Sequence, residues 1–408
     1  MGEGTFVKPV ASLKAKTTSR LLSLHIDVPL LLIVFSLCVF GLLMVYSASS
    51  STFIFTRQVE WMLIGLVVMV GLTLIDYHKL RPFLLPVWIG TLIALAAVLF
   101  INDMRYNAAR TLNNGSFQPS ELAKLVIIIY LSFWLSIRQD KLNDIYIGLI
   151  PLAFILGATG GFIYLQPDLS ATLTIFALGF MLFFLAGGSL RQLVLVAVVA
   201  LLAGWLIVVL NPGGTASARI NSYLVGIRDP LEGSNQLQRS LEGIIKGGLF
   251  GVGIGKADIK WSGLPVPSRD SIFVIVVEET GLVVASLLTL MYAGLVWRGM
   301  VIARRAKDQL GSLLAAGMTF WLAFEAVINM GMVVGLFPIA GNALPFMSAG
   351  GSSLVVSMAA IGVIMSVARQ SEVVKESEGR TFSAVVDLRR WDRRRRVSRP
   401  RRPAGPRE

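Results

Sequence analysis

Leu264-Pro265-Val266-Pro267-Ser268-Arg269-Asp270-Ser271 runs directly into Ile272-Phe273-Val274-Ile275-Val276-Val277, and then into Glu278-Glu279. A polar, proline-interrupted stretch thus gives way at once to unbroken apolar sequence, and the same change recurs along the chain. Apolar runs of about 20 residues, the length that crosses the hydrocarbon core of a bilayer, fall at 27–48, 59–75, 82–101, 119–137, 143–165, 169–188, 192–210, 271–295, 312–335 and 351–368. Ten such runs predict an all-α polytopic membrane protein with about ten transmembrane helices. The longest polar interval, between the seventh and eighth runs, is expected to be a large loop that ends at Asp270.

Composition agrees. Of 408 residues 55% are hydrophobic and 15% charged, with a mean hydropathy of +0.71. That is too little charge to cover the surface of a soluble protein of this length. Cys38 is the sole cysteine, which excludes an intrachain disulfide. The two histidines, His25 and His78, form no cluster with metal-ligand spacing, so no metal site is expected. The first apolar run is too long for a signal peptide and is expected to be retained.

Lysine and arginine set the orientation. With a cytoplasmic N-terminus, most of the 37 basic residues fall on the inner side, among them Lys8, Lys14, Lys16, Arg20, Arg298, Arg304 and Arg305. This is the positive-inside pattern, and it places both termini in the cytoplasm. Three parts follow: a cytoplasmic segment 1–26, a transmembrane domain 27–369 and an Arg-rich tail 370–408. The tail composition predicts disorder near anionic headgroups rather than nucleic-acid binding.

Against that trend, the outward loop 211–270 carries Arg219, Arg228, Arg239, Lys246, Lys256, Lys260 and Arg269. Cations on the side that usually lacks them point to an anionic ligand, a diphosphate being one candidate, or to a solvated loop with scattered charge. In Gln118-Pro119-Ser120-Glu121-Leu122-Ala123-Lys124, the proline suits a first helical position and Glu121 the first turn. Lys124 lies three residues further along the same face, where Glu121 is its nearest partner. Asp168, after Gln166-Pro167, reads as a helix N-cap. Asp270 reads equally as an N-cap or as a catalytic base where water meets lipid. The Gly- and Pro-rich stretch 335–353 is too apolar for an exposed loop. It is expected to be a re-entrant segment beside the long loop.

Taken together these segments resemble the SEDS family (shape, elongation, division and sporulation; the FtsW, RodA and SpoVE proteins). The resemblance covers about 27–369. It rests on Tyr46-Ser47-Ala48-Ser49, Arg110 with Phe117 to Lys124, Gln166-Pro167-Asp168, Gly247-Gly248-Leu249-Phe250-Gly251-Val252-Gly253, Asp270 with Glu278-Glu279, Ile328-Asn329-Met330-Gly331, and Leu344-Pro345-Phe346 through Ser353. It implies a peptidoglycan glycosyltransferase that polymerises lipid II at the outer face of the bacterial inner membrane. The partners it implies are a class B penicillin-binding protein and other divisome or elongasome components, and the FtsW-like branch is favoured.

By the same resemblance Asp270 is the catalytic residue, Glu121 and Lys124 fall on an activity-linked pair and Arg110 on an outer-loop arginine; with Arg219 of the cationic loop and Ser352 these are the candidate substrate-binding residues. No cofactor is implied, and a divalent cation is left open. Where the family usually carries a glutamate and a histidine just before the aspartate, this chain has Val266, Pro267, Ser268 and Arg269. Glu325 stands where the family often has glutamine. A lipid-linked precursor flippase and a non-catalytic scaffold of the division or elongation complex are the alternative readings.

Overall fold

The computed structural model describes residues 26–49, 51–101, 117–210, 212–229 and 232–371. Arg110 and the Arg-rich tail beyond Ser371 lie outside these residues. The chain forms helices α1 (Val28–Ala48), α2 (Thr52–Leu74), α3 (Leu84–Ile101), α4 (Pro119–Ile137), α5 (Ile150–Leu165), α6 (Leu169–Leu185) and α7 (Leu190–Leu210). After these come α8 (Thr215–Arg228), α9 (Asn235–Gly247), α10 (Ile272–Arg304), α11 (Gln309–Val333) and α12 (Gly351–Ser371). Among the described residues eight helical segments are long and apolar enough to cross a membrane; α6 and α7 are apolar but shorter in their qualifying stretches. The chain is thus a helical, multi-pass membrane protein.

Capping residues set several boundaries. Side chains of Asp27, Ser51, Asp168 and Asp308 accept from the backbone N–H of Leu30, Phe53, Ala171 and Gly311, as polar residues at helix starts do. The second helix begins at Thr52 rather than at 59, because the polar Thr56-Arg57-Gln58 interrupts the apolar run without interrupting the helix. Gln58 is buried there and donates to Ser348 O at 3.0 Å. The eighth apolar run likewise continues as helix past 295 to Arg304. Arg298 on that extension pairs with Asp27 at 2.8 Å.

The interval read as one long loop contains two helices. Ser234 caps α9 at Leu237 N, Gly248 ends it at φ 52°, and Leu237, Ser240, Gly243 and Gly247 form its buried face against α10. That face repeats at three and four residues, the spacing of a helix lying on a surface. The helices α4, α11 and α12 are mostly enclosed, whereas α2 exposes most of its length, as expected for a helix facing lipid.

Helix α10 is not continuous. Gly281 sits at φ 78°, ψ 175°, and divides it into a half-helix from Ile272 to Thr280 and a longer second part. The groups freed by the break are bonded by the glycine-rich strap that follows α9. Val252 N and Gly253 N donate to Glu278 O and Glu279 O at 2.9 and 3.0 Å, and Leu282 N and Val283 N donate to Gly248 O and Leu249 O at 3.0 and 3.2 Å. A Cβ at Gly247, Gly251 or Gly281 would collide with Val277 O, Glu279 O or Leu249 O. The glycines are therefore required for main chain to lie directly on main chain.

Gly281→Ala combines that collision with a left-handed backbone that costs roughly 1–3 kcal/mol for a non-glycine residue. It is expected to lower the detergent melting temperature and the yield of folded protein. Gly71→Ala, with open space around it, is expected to leave both unchanged.

Candidate functional site

Lys124, one turn into α4, has a side chain 3% exposed. Its ammonium bonds Glu121 Oε1 at 2.8 Å and, across the bundle, Glu325 Oε1 on α11. The Trp321 ring lies over the same ammonium, 5.5 Å from Nζ to the ring centre. The Glu121–Lys124 pair expected from spacing is present. Glu325 was visible only as a departure from the family pattern, and its role as the second partner of Lys124 was missed. Spacing along one helix cannot report a partner 201 residues away.

Beside this pair sits a second polar cluster. Gln118 Nε2 donates to Asp168 Oδ2 at 3.1 Å and to Ser120 Oγ at 2.9 Å. Asp168 also caps α6, as expected. Gln118 N donates to Ser352 Oγ at 3.3 Å, which draws the start of α12 to the start of α4. Glu121, Lys124 and Ser352 are thus gathered around the first turn of α4.

Asp270 lies at the head of the half-helix and is partly buried. It is not in the N-cap position. That position is Ser271, whose hydroxyl donates to Pro265 O at 2.9 Å and accepts from Gln236 Nε2 at 3.1 Å. The main-chain carbonyl of Asp270 accepts from Asn329 Nδ2 at 2.9 Å. Asn329 stands four residues after Glu325, and Glu325 four after Trp321, so all three buried side chains lie along one stripe of α11. The stripe links the Lys124 cluster to the Asp270 backbone.

The Gly/Pro-rich stretch 334–350 is irregular; its first half, to Gly341, is partly or fully exposed and its second half, from Asn342, is largely buried within protein, the condition under which such backbone survives at membrane depth. Tyr292 OH donates to Pro345 O at 2.5 Å, and Ser348 Oγ accepts from Leu344 N at 2.7 Å. Arg219, half-buried on α8, donates to Ile339 O at 3.3 Å. It lines a cleft of about 210 Å³ with Tyr223, Leu237, Met332 and Phe337. It is therefore beside the irregular segment rather than in the Lys124 cluster. A larger cleft of about 310 Å³, between Asp27, Arg298 and Arg305, holds none of the candidate site residues.

Two further carboxylates hold the strap. Glu278 accepts from Asp258 N at 3.0 Å and from Ile259 N at 3.3 Å. Glu279 accepts from Ser47 Oγ at 2.5 Å and lies 3.4 Å from Lys260 Nζ. Among the described residues no three His, Cys, Asp or Glu side chains gather as ligands for a metal.

The family model for FtsW, RodA and SpoVE cell cycle proteins matches residues 28–373. The chain belongs to the FtsW/RodA/SpoVE family. It is 35% identical to stage V sporulation protein E of Bacillus subtilis, over 85% of this chain and 97% of that protein. It is also 35% identical to a probable peptidoglycan glycosyltransferase FtsW of a Geobacter species, over 84% and 96%. Among solved structures it resembles a chain of a peptidoglycan synthase complex that coordinates polymerization and crosslinking, with a TM-score of 0.73, 26% identity and coverage of 85% and 98%. The rod shape determining protein RodA of Thermus thermophilus matches with a TM-score of 0.65, 26% identity and coverage of 86% and 98%. FtsW/RodA/SpoVE membership is thus supported by sequence and fold over nearly the whole helical region.

Removing one partner of a buried ion pair costs on the order of 3–5 kcal/mol, because it strands the other charge. Lys124→Met leaves two buried carboxylates facing each other and is expected to lower the melting temperature steeply. Glu325→Gln leaves Lys124 matched to Glu121 and is expected to lower it far less. Thermal unfolding of the two variants in detergent makes the comparison.

Proposed function

We propose that this chain is a peptidoglycan glycosyltransferase that polymerises lipid II into glycan strands at the outer face of the bacterial cytoplasmic membrane, with Asp270 as general base. In this reading the chain spans the membrane ten times with both termini inside. Residues 1–26 and 370–408 flank the transmembrane domain 27–369, and the interval 211–270 is extracytoplasmic. Curated relatives named as probable peptidoglycan glycosyltransferases, at 33–35% identity over most of the chain, support the activity.

The observation that carries the catalytic assignment is the partial exposure of Asp270 at the head of the half-helix. Glu121, Glu325, Asp168, Glu278 and Glu279 are buried. Asp270 is partly exposed, at a helix start whose cap position belongs to Ser271. The transfer needs such a group. The acceptor sugar hydroxyl gives its proton to the Asp270 carboxylate as its oxygen bonds the donor's anomeric carbon. The bond from that carbon to the diphosphate oxygen breaks with inversion, and the diphosphate leaves on its polyprenyl carrier. A dianionic leaving group needs nearby cations, a role this reading gives to Arg110 and Arg219. Lys124, held between two carboxylates, contributes by fixing α4 against α11, and Ser352 by fixing the start of α12.

A class B penicillin-binding protein is the proposed partner. The similarity to a chain of a peptidoglycan synthase complex supports it.

Asp270→Asn, purified with that partner, is expected to lose lipid II polymerisation by at least about 10²-fold, the scale of a missing general base. Its melting temperature should stay near wild type, since asparagine has nearly the size and shape of aspartate. Gel analysis of glycan products measures the first and thermal unfolding the second. Polymer made at the wild-type rate would refute the assignment, and leaflet exchange of lipid II without polymer would favour the flippase reading.

A further inference from the structure

Three consecutive carbonyls lead into the half-helix, and each is bonded by another part of the chain. Ser268 O accepts from Ala349 N at 2.8 Å, Arg269 O from Ser348 Oγ at 2.8 Å, and Asp270 O from Asn329 Nδ2 at 2.9 Å. The first two donors belong to the irregular segment, and the third projects from α11. The same Asn329 nitrogen donates to Asn342 O at 2.6 Å. Two carbonyl acceptors at one nitrogen require both N–H bonds of an amide, so the orientation of the side chain is fixed.

Asn329 is fully buried, and its Oδ1 meets no hydrogen-bond donor. A buried acceptor left unpaired costs about 1–3 kcal/mol. What the amide achieves in return is geometric. It joins α11, the irregular segment and the main chain of Asp270 at one atom.

We infer that Asn329 is a positioning residue for the glycosyl transfer, acting through the backbone of Asp270. The inference rests on Asp270 being the base. Holding the Asp270 carbonyl fixes the peptide plane from which the carboxylate projects. The stripe that carries Asn329 is itself anchored one turn away, where Glu325 meets Lys124. Loss of the amide lets the carboxylate wander from the acceptor hydroxyl while the surfaces that bind the substrate stay in place.

The test uses the full-length protein with its penicillin-binding partner and measures initial rates of lipid II polymerisation. Asn329→Leu keeps the branched shape and the number of side-chain heavy atoms, though it is bulkier, and removes both hydrogen bonds. It is expected to lower kcat by about 10²-fold, the effect of a misplacement of about an ångström, with little change in KM. Asn329→Asp, which sets a carboxylate against two carbonyl oxygens, is expected to lose at least as much. In an Asp270→Asn background neither substitution should lower the residual rate further. A wild-type kcat in Asn329→Leu would overturn the inference. So would a loss that persists undiminished on top of Asp270→Asn, or one that rises in KM alone. If Asp270→Asn itself polymerised normally, the base assignment would fall and take the inference with it, a result distinct from failure of Asn329→Leu alone.

Discussion

Backbone N–H and C=O groups at membrane depth have no water to bond, and the two departures from helix beside the candidate site answer to that constraint. The chain departs twice near the candidate site, at Gly281 inside α10 and through the irregular segment 334–350. At the first, four strap-to-helix hydrogen bonds replace the helical ones that the break removes. At the second, side chains take over: Gln58, Asn329 and Tyr292 each donate to a carbonyl of that segment. The glycines there follow from the same requirement, since a Cβ at Gly247, Gly251 or Gly281 would strike the main chain laid against it.

Charge is distributed by the same logic. A buried carboxylate is tolerated when donors surround it, and most of the buried acids here join parts of the chain far apart in sequence. Glu279 ties the strap, through Lys260, to the end of α1 at Ser47. Glu278 holds the backbone of Asp258 and Ile259. Glu121 and Glu325 meet on one lysine and lock α4 to α11. The frame around the site is therefore built partly from buried carboxylates bonded within the protein.

Much of this architecture was legible in the sequence, for reasons that also mark where legibility stopped. Apolar runs located the membrane helices, because lipid demands unbroken apolar length. Capping residues such as Asp168 and the Glu121–Lys124 spacing were readable because they depend on neighbours within four residues. The early start of α2 was hidden, since Gln58 looks like an interruption until its partner Ser348, 290 residues away, is known. The helices α8 and α9 were hidden by composition, because a helix lying on a protein surface does not need an apolar run. The break at Gly281 left no signal of its own: a glycine within an apolar helix is common, and its meaning comes from the strap laid across it.

The departures around Asp270 become intelligible on the same grounds. The family pattern places particular side chains before the aspartate, and this chain carries Val266, Pro267, Ser268 and Arg269 instead. Yet the bonds that fix this turn are made by the carbonyls of Ser268, Arg269 and Asp270, atoms that every residue type supplies. Side chains there can change without moving the carboxylate, provided the donors opposite them stay. Those donors are Ala349 N, which any residue except proline offers, and the side chains of Ser348 and Asn329. The burden of specificity thus shifts from the loop that carries the acid to the helix and irregular segment that hold it. Val266, a β-branched residue at φ 44°, fits that view. A conformation disfavoured for valine persists because the surrounding main chain is held from the other side.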